Sequence, residues 1–148
     1  MFPIYPDLAG RTALVTGSSS GIGRGVAEAL LKQGMRLAGQ HRTHPSPQGT
    51  AAVRADLATE QGCVEAVRAA RERLGEVHLL VHSAGIYDAG PIASISAAAL
   101  EEMFRVNVYS GFYLVRELLR SSSHCIGQDL CISGGALLVV PRGQMRPA

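Results

Sequence analysis

The chain has 148 residues, 47% hydrophobic and 18% charged, with a formal net charge of +2. This fits one globular domain and excludes a disordered chain. The small charge, with no Lys/Arg run, gives no nucleic-acid footprint, and no apolar run reaches the roughly 18 residues of a membrane span.

Arg11–Thr16 is a short apolar, β-prone run and reads as a buried strand. A Gly/Ser-rich loop follows, Gly17 to Gly23. Val26, Ala27, Leu30 and Leu31 then recur at helical spacing, and Gly34 closes that helix. Met35–Gly39 is a second strand, His41–Thr50 a loop with two prolines, and Ala51–Arg54 a short third strand. Val64, Val67, Ala70 and Leu74 form one apolar stripe ended by Gly75, a second helix. Val77–Val81 is a fourth strand, and Ser96 caps a helix running through Leu100, Met103 and Phe104 to about Arg120. This βαβ alternation implies a parallel sheet with helices on both faces. Beyond Arg120 the alternation fails. Ser121–Ser123 is a polar break, Gln128–Ile132 and Leu137–Val140 are short strand candidates, and Pro141–Ala148 reads as a frayed end.

Met1 to Gly10 has no basic stretch leading into an apolar one, so no signal peptide is expected. Cys63, Cys125 and Cys131 form no disulfide framework, which suits reduced thiols in a cytoplasmic protein. Neither His41-x-x-His44 nor the group His124, Cys125, Cys131 has the four-ligand spacing of a zinc site, so no metal is expected.

Thr16-Gly17-Ser18-Ser19-Ser20-Gly21-Ile22-Gly23 lies between a predicted strand and a predicted helix, the context a phosphate-binding loop requires. Glycines let the chain turn sharply and bring backbone close to a pyrophosphate, and the free N–H groups at the helix start hold the anion. The bland alternative, a flexible Gly/Ser turn without a ligand, does not explain the strand and helix on either side.

The spacing Gly-x-x-x-Gly-x-Gly resembles that of the short-chain dehydrogenase/reductase family, and the resemblance extends over about Leu8 to Arg120. It implies a Rossmann-like doubly wound α/β sheet over residues 1–120 with the second half largely missing, and a residual C-terminal tail over 121–148. It further implies cofactor contacts from Gly17, Ser19, Ser20, Gly21, Ile22 and Gly23. Asp56, followed by Leu57, resembles the family aspartate that holds the adenine amino group. His82-Ser83-Ala84-Gly85 stands where the family has Asn-Asn-Ala-Gly. Ser83, Ala84 and Gly85 would run close to the cofactor ribose, and His82 reads as a structural histidine. Asn107, in Val-Asn-Val, is a poor helix residue. It resembles the family asparagine that holds a water chain to the active-site lysine, and is the one catalytic candidate.

An acid at the end of the second strand would accept from the ribose 2′-OH of NAD. Gln40-His41-Arg42 supplies none, and Arg42 resembles the arginine that meets a 2′-phosphate, so NADP(H) is expected over NAD. Arg24 and His41 add positive charge to this reading.

The family does its chemistry with a tyrosine and a lysine four residues later, the lysine lowering the tyrosine pKa. Here Lys32 is the only lysine, Tyr113 is the last tyrosine, and no Tyr-x-x-x-Lys exists. Tyr109 and Tyr113 read as packing aromatics. Two readings of the tail stand. In one, Ser123 to Leu137 resembles the end of a whole family member after an internal deletion near Arg120, and Ser133 is a turn residue. In the other, Leu130–Ser133 is the fifth strand and Ser133 the substrate-positioning serine. In both, the site is incomplete. The expectation is an NADP(H)-binding domain inactive alone. The alternatives are an oxidoreductase, acting on a small carbonyl or alcohol, completed by another chain or group, and a non-enzymatic partner of a full-length relative. A fourth strand left unpaired unless the tail covers it, and exposed apolar surface, are expected, and the usual family dimer is doubtful.

Overall fold

The computed structural model describes residues 3–120, 128–133 and 136–141. Strand β1, Thr12–Thr16, is buried throughout. Its Ala13 and Val15 face one way and Leu14 the other, as the strand period of two dictates, and each side acquires its own core. Helix α1, Gly21–Lys32, covers the Ala13 and Val15 face, packing Ala27 with Leu37 and Val81. Helix α2, Glu60–Leu74, covers the Leu14 face with Cys63, Ala66, Val67 and Ala70. Burial, with Asp56 and Glu60 adding, pushes the Cys63 thiol up to about 12, so at neutral pH it is a protonated core group.

Strands β2 (Arg36–His41) and β3 (Thr50–Arg54) lie parallel on one side of β1, and β4 (Leu79–His82) lies parallel on the other. Two features depart from a regular doubly wound sheet. First, residues 42–49 join parallel β2 and β3 without a helix, where such crossovers usually carry one. Ser46 closes this short path: its hydroxyl donates to the Gly39 carbonyl at 2.9 Å and lies 2.6 Å from Ser18 Oγ. As a result β3 is buried on the α2 side through Val53, while Ala52 and Arg54 on the opposite side are exposed.

Second, the sheet does not stop at β4. Strands β5 (Gln128–Ser133) and β6 (Ala136–Pro141) form an antiparallel pair, and β6 lies antiparallel against β4, giving the order β3-β2-β1-β4-β6-β5. The tail thus covers the fourth strand: Leu80, Val81 and His82 pair with Val139, Leu138 and Leu137. The all-parallel expectation holds for the first four strands only. Short apolar strands carry no sign of their direction, so the sequence could not distinguish these cases. Ser133 ends β5 opposite Ala136, at the hairpin, with β6 between it and β4. The expected polar break at Ser121–Ser123, and the family-like stretch as far as residue 127, lie outside the described residues.

The long helix expected from Ser96 is interrupted. Ser96 Oγ accepts from Ala99 N–H at 3.1 Å and starts α3, Ala97–Phe104. A π-helical turn, Arg105–Tyr109, follows, and then α4, Ser110–Arg120. Leu114 of α4 is fully buried beside α2, whereas Val108 and Phe112 are 52% and 63% exposed, as expected of a helix without a second covering layer. None of the described helices is long and apolar enough to cross a membrane.

Candidate functional site: a nucleotide cleft at the strand ends

The loop after β1 depends on backbone that only glycine supplies. Gly17 and Gly21 have φ of +62° and +52°. A Cβ on Gly17 would stand 2.8 Å from the Ala84 Cα, and one on Gly23 would strike the Gly17 carbonyl. Close approach of the loop to the end of β4, and of the first turn of α1 to the loop, therefore forbids any side chain. Ser20 is the N-cap of α1 but its side chain makes no capping bond, so the first-turn N–H groups have no side-chain partner.

Gln40, at the end of β2, braces the loop. Its Oε1 accepts from Gly17 N–H at 3.0 Å and its Nε2 donates to the Ala55 carbonyl at 2.8 Å, while its own carbonyl accepts from Ser18 N–H. This buried amide ties β1, β2 and the end of β3 together. Nothing in its spacing signalled the role. The adjacent side chains are unspent: Arg42 makes no hydrogen bond or ion pair among the described residues, and the buried His41 Nδ1 has no partner. No carboxylate occurs at residues 40–43. Asp56 accepts from Ala58 N–H through Oδ1 at 3.0 Å, which fixes the turn after β3.

At the end of β4 most of the polar groups are used. Thr16 Oγ1 accepts from the N–H groups of Ser83 and Ala84 at 3.1 and 3.2 Å, so its hydrogen goes to His82 Nδ1 at 2.8 Å. His82 Nε2 must then carry the ring hydrogen and donate to Ser110 Oγ at 2.9 Å, and Ser110 donates to the Val106 carbonyl. Burial pushes the His82 pKa down to about 4, so it is neutral at pH 7 and structural, as the sequence suggested. Asn107, in the π turn, clasps one residue with both ends of its carboxamide: Oδ1 accepts from Ile86 N–H and Nδ2 donates to the Ile86 carbonyl, each at 2.8 Å.

These segments enclose one cleft of about 930 Å³. Gly17, Ser19, Ser20, Gly21, Ile22, Gly23, Arg42, Asp56, Leu57, Ser83, Ala84, Gly85 and Asn107, the residues singled out from the sequence, all line it. Gln40, Thr43, Ala55, Ile86, Tyr87 and Val106 line it too and were not foreseen, while His41 was named only for its charge. Arg24 is corrected: it does not face the cleft and its guanidinium pairs with Glu28 one helical turn on, at 2.9 Å. Tyr109 and Tyr113 also lie elsewhere, against Phe104 and against Phe112 with Arg116. No group of three possible metal ligands exists among the described residues.

A Gly-rich turn leading from a central strand into a helix, at the carboxyl ends of parallel strands, defines a dinucleotide-binding α/β domain. Within that class the chain belongs to the short-chain dehydrogenase family, whose model matches residues 11–128. It is 30% identical over 122 residues to a sorbitol dehydrogenase of Cereibacter sphaeroides, covering 77% of this chain and 48% of that protein. It is also 30% identical over 127 residues to an L-rhamnose 1-dehydrogenase (NADP(+)) of Thermoplasma acidophilum, covering 78% and 50%. Among solved structures it resembles a blue fluorescent protein from a metagenomic library in complex with NADPH, with TM-score 0.71, 29% identity and coverage of 79% and 53%. The chain thus spans about half the length of the curated relatives it matches.

Proposed function

We propose that this chain is an NADP(H)-binding domain that does not transfer hydride by itself. The observation that carries the reading is Arg42, a guanidinium just past the end of β2 that is unpaired among the described residues, with no carboxylate at residues 40–43. A guanidinium meets a ribose 2′-phosphate by charge-assisted hydrogen bonds, whereas a 2′-OH calls for an acceptor that the segment lacks. The cleft fits such a cofactor. The glycines of the loop exclude any Cβ from the path of a pyrophosphate, and the uncapped N–H groups of α1 suit its charge. Asp56 keeps one carboxylate oxygen for the adenine amino group, and Ser83–Gly85 borders the ribose on the β4 side.

When bound, the cofactor supplies a hydride donor or acceptor. The residues of this chain bind and orient it. None combines a tyrosine with a lysine four residues later to move the accompanying proton. Asn107 holds the Ile86 backbone through its carboxamide and so shapes the wall of the cleft. The NADP(+) in the name of one relative and the NADPH bound in one solved structure support the choice of cofactor.

Calorimetric titration with NADPH and with NADH tests the reading. NADPH is expected to bind at least about tenfold more tightly, the equivalent of 1.4 kcal/mol for the phosphate. Equal affinity would remove the specificity argument, and no binding by a folded sample would remove the cofactor. Oxidation of NADPH by any member of a carbonyl panel would establish the oxidoreductase alternative.

A further inference from the structure

The cleft is uneven. Toward β2 and β3 it offers unspent polar groups: the Arg42 guanidinium, the unpartnered His41 Nδ1 and the second oxygen of Asp56. Toward β4 the Ser83 and Ala84 N–H groups are taken by Thr16, and Asn107 by Ile86. What is left there, among the described residues, is two hydroxyls, on Ser83 and Tyr87, and the second N–H and lone pair of the Asn107 carboxamide, with no cation.

The sheet repeats this asymmetry. A dinucleotide fold binds one nucleotide on each half, and each half contributes the carboxyl ends of parallel strands with the helix starts that follow them. The first half is complete here. On the other side β6 runs antiparallel, so the strand that adjoins His82 begins at that end, at Ala136 opposite Ser133. A hairpin turn stands where the carboxyl end of a second-half strand would be, and a hairpin has no helix start to hold a phosphate or ribose.

We infer that this cleft is a half-site: it recognises 2′-phosphorylated adenosine diphosphates as a chemical class and is indifferent to what the diphosphate carries at its far end. The inference rests on the NADP(H) reading and narrows it. The nicotinamide riboside of a bound cofactor projects past Ser83 and Tyr87 into solvent, held by no charged group among the described residues. The same site accepts the 2′-phosphate form of ADP-ribose, which lacks the nicotinamide altogether.

Calorimetric titration of the full chain with NADPH and with 2′-phospho-ADP-ribose decides this. An NADPH advantage below about fivefold is expected, because only groups held in place contribute to affinity. An advantage above about fivefold would show that the nicotinamide riboside is held and would overturn the half-site while leaving the NADP(H) reading intact. Binding of neither ligand would remove both. Arg42→Ala serves as the internal control: it is expected to weaken the two ligands by the same factor, and an effect on NADPH alone counts against the half-site.

Discussion

At Gly23 there is room for a hydrogen and nothing larger, because a methyl group would press on the Gly17 carbonyl, which is backbone and cannot swing aside. Gly23→Ala is expected to abolish NADPH binding and to destabilise the chain by about 1–3 kcal/mol, measured by calorimetry and thermal melting. Gly21 has open space around it, so Gly21→Ala meets only the left-handed backbone penalty of about 1–2 kcal/mol and should leave weak binding measurable. Arg42→Ala removes a charge-assisted contact of about 1.5–3 kcal/mol, a loss of about 10- to 100-fold for NADPH, with NADH unchanged. His82 gives a pH signature. Its folded pKa of about 4 lies below the ordinary value of 6.5, so between these values the unfolded chain binds more protons and stability rises with pH. The full effect is on the order of 3 kcal/mol, lost as the pH falls from 6.5 to 4. His82→Asn keeps a hydrogen-bonding side chain but no titration, so its unfolding free energy should vary less over that window than the parent's. The glycine loop and Arg42 were legible in the sequence because their chemistry follows from residue type and position along the chain. Gln40 was not, because a carboxamide bridging Gly17 to Ala55 is a fact of three-dimensional proximity.

Among the elements, the π turn at Arg105–Tyr109 carries the same lesson. Its sequence is compatible with an unbroken helix, and the periodicity of Leu100, Met103 and Phe104 predicts one. The break is stabilised from outside, by Asn107 clasping the backbone of Ile86. The unusual asparagine was visible, but its partner twenty-one residues earlier was not. Asn107→Ala leaves the Ile86 N–H and C=O to water, which reaches this partly exposed segment. The expected cost is therefore near the lower end for lost hydrogen bonds, about 1 kcal/mol. NADPH affinity should stay within about threefold, since the β4 side of the cleft does little of the holding. Chemical denaturation and titration on the same variant separate the two quantities. The order of the first four strands and of the helices between them, by contrast, was legible to within a few residues: Gly75 ends α2 where the apolar stripe stops, whereas its start at Thr59, whose Oγ1 accepts from Gly62 N–H, lies ahead of the first apolar residue of the stripe.

At the scale of the whole molecule, the chain resolves the problem of its exposed fourth strand with a local device, the β5–β6 hairpin on β4. Shortening the chain to residues 1–120 unpairs Leu80, Val81 and His82 from their partners. That variant is expected to scatter more light on standing at equal concentration, since an open apolar edge recruits other chains. Light scattering no greater than the parent's would mean that the hairpin is dispensable. The outer surface of the π turn and α4, with Val108 and Phe112 uncovered, remains apolar in either form. The hairpin also sets an order of events in time. Ser133 and Ala136 meet across two intervening residues, and such a closure takes about 1–10 μs. Thr16 and His82 must meet across most of a domain, and nonlocal parallel pairing of this kind takes about 1 ms to 1 s in small proteins. During refolding the hairpin is thus ready long before its partner strand, and it waits with a bare edge of its own. The yield of folded chain should therefore fall as the concentration during refolding rises, even though the finished sheet has that edge covered.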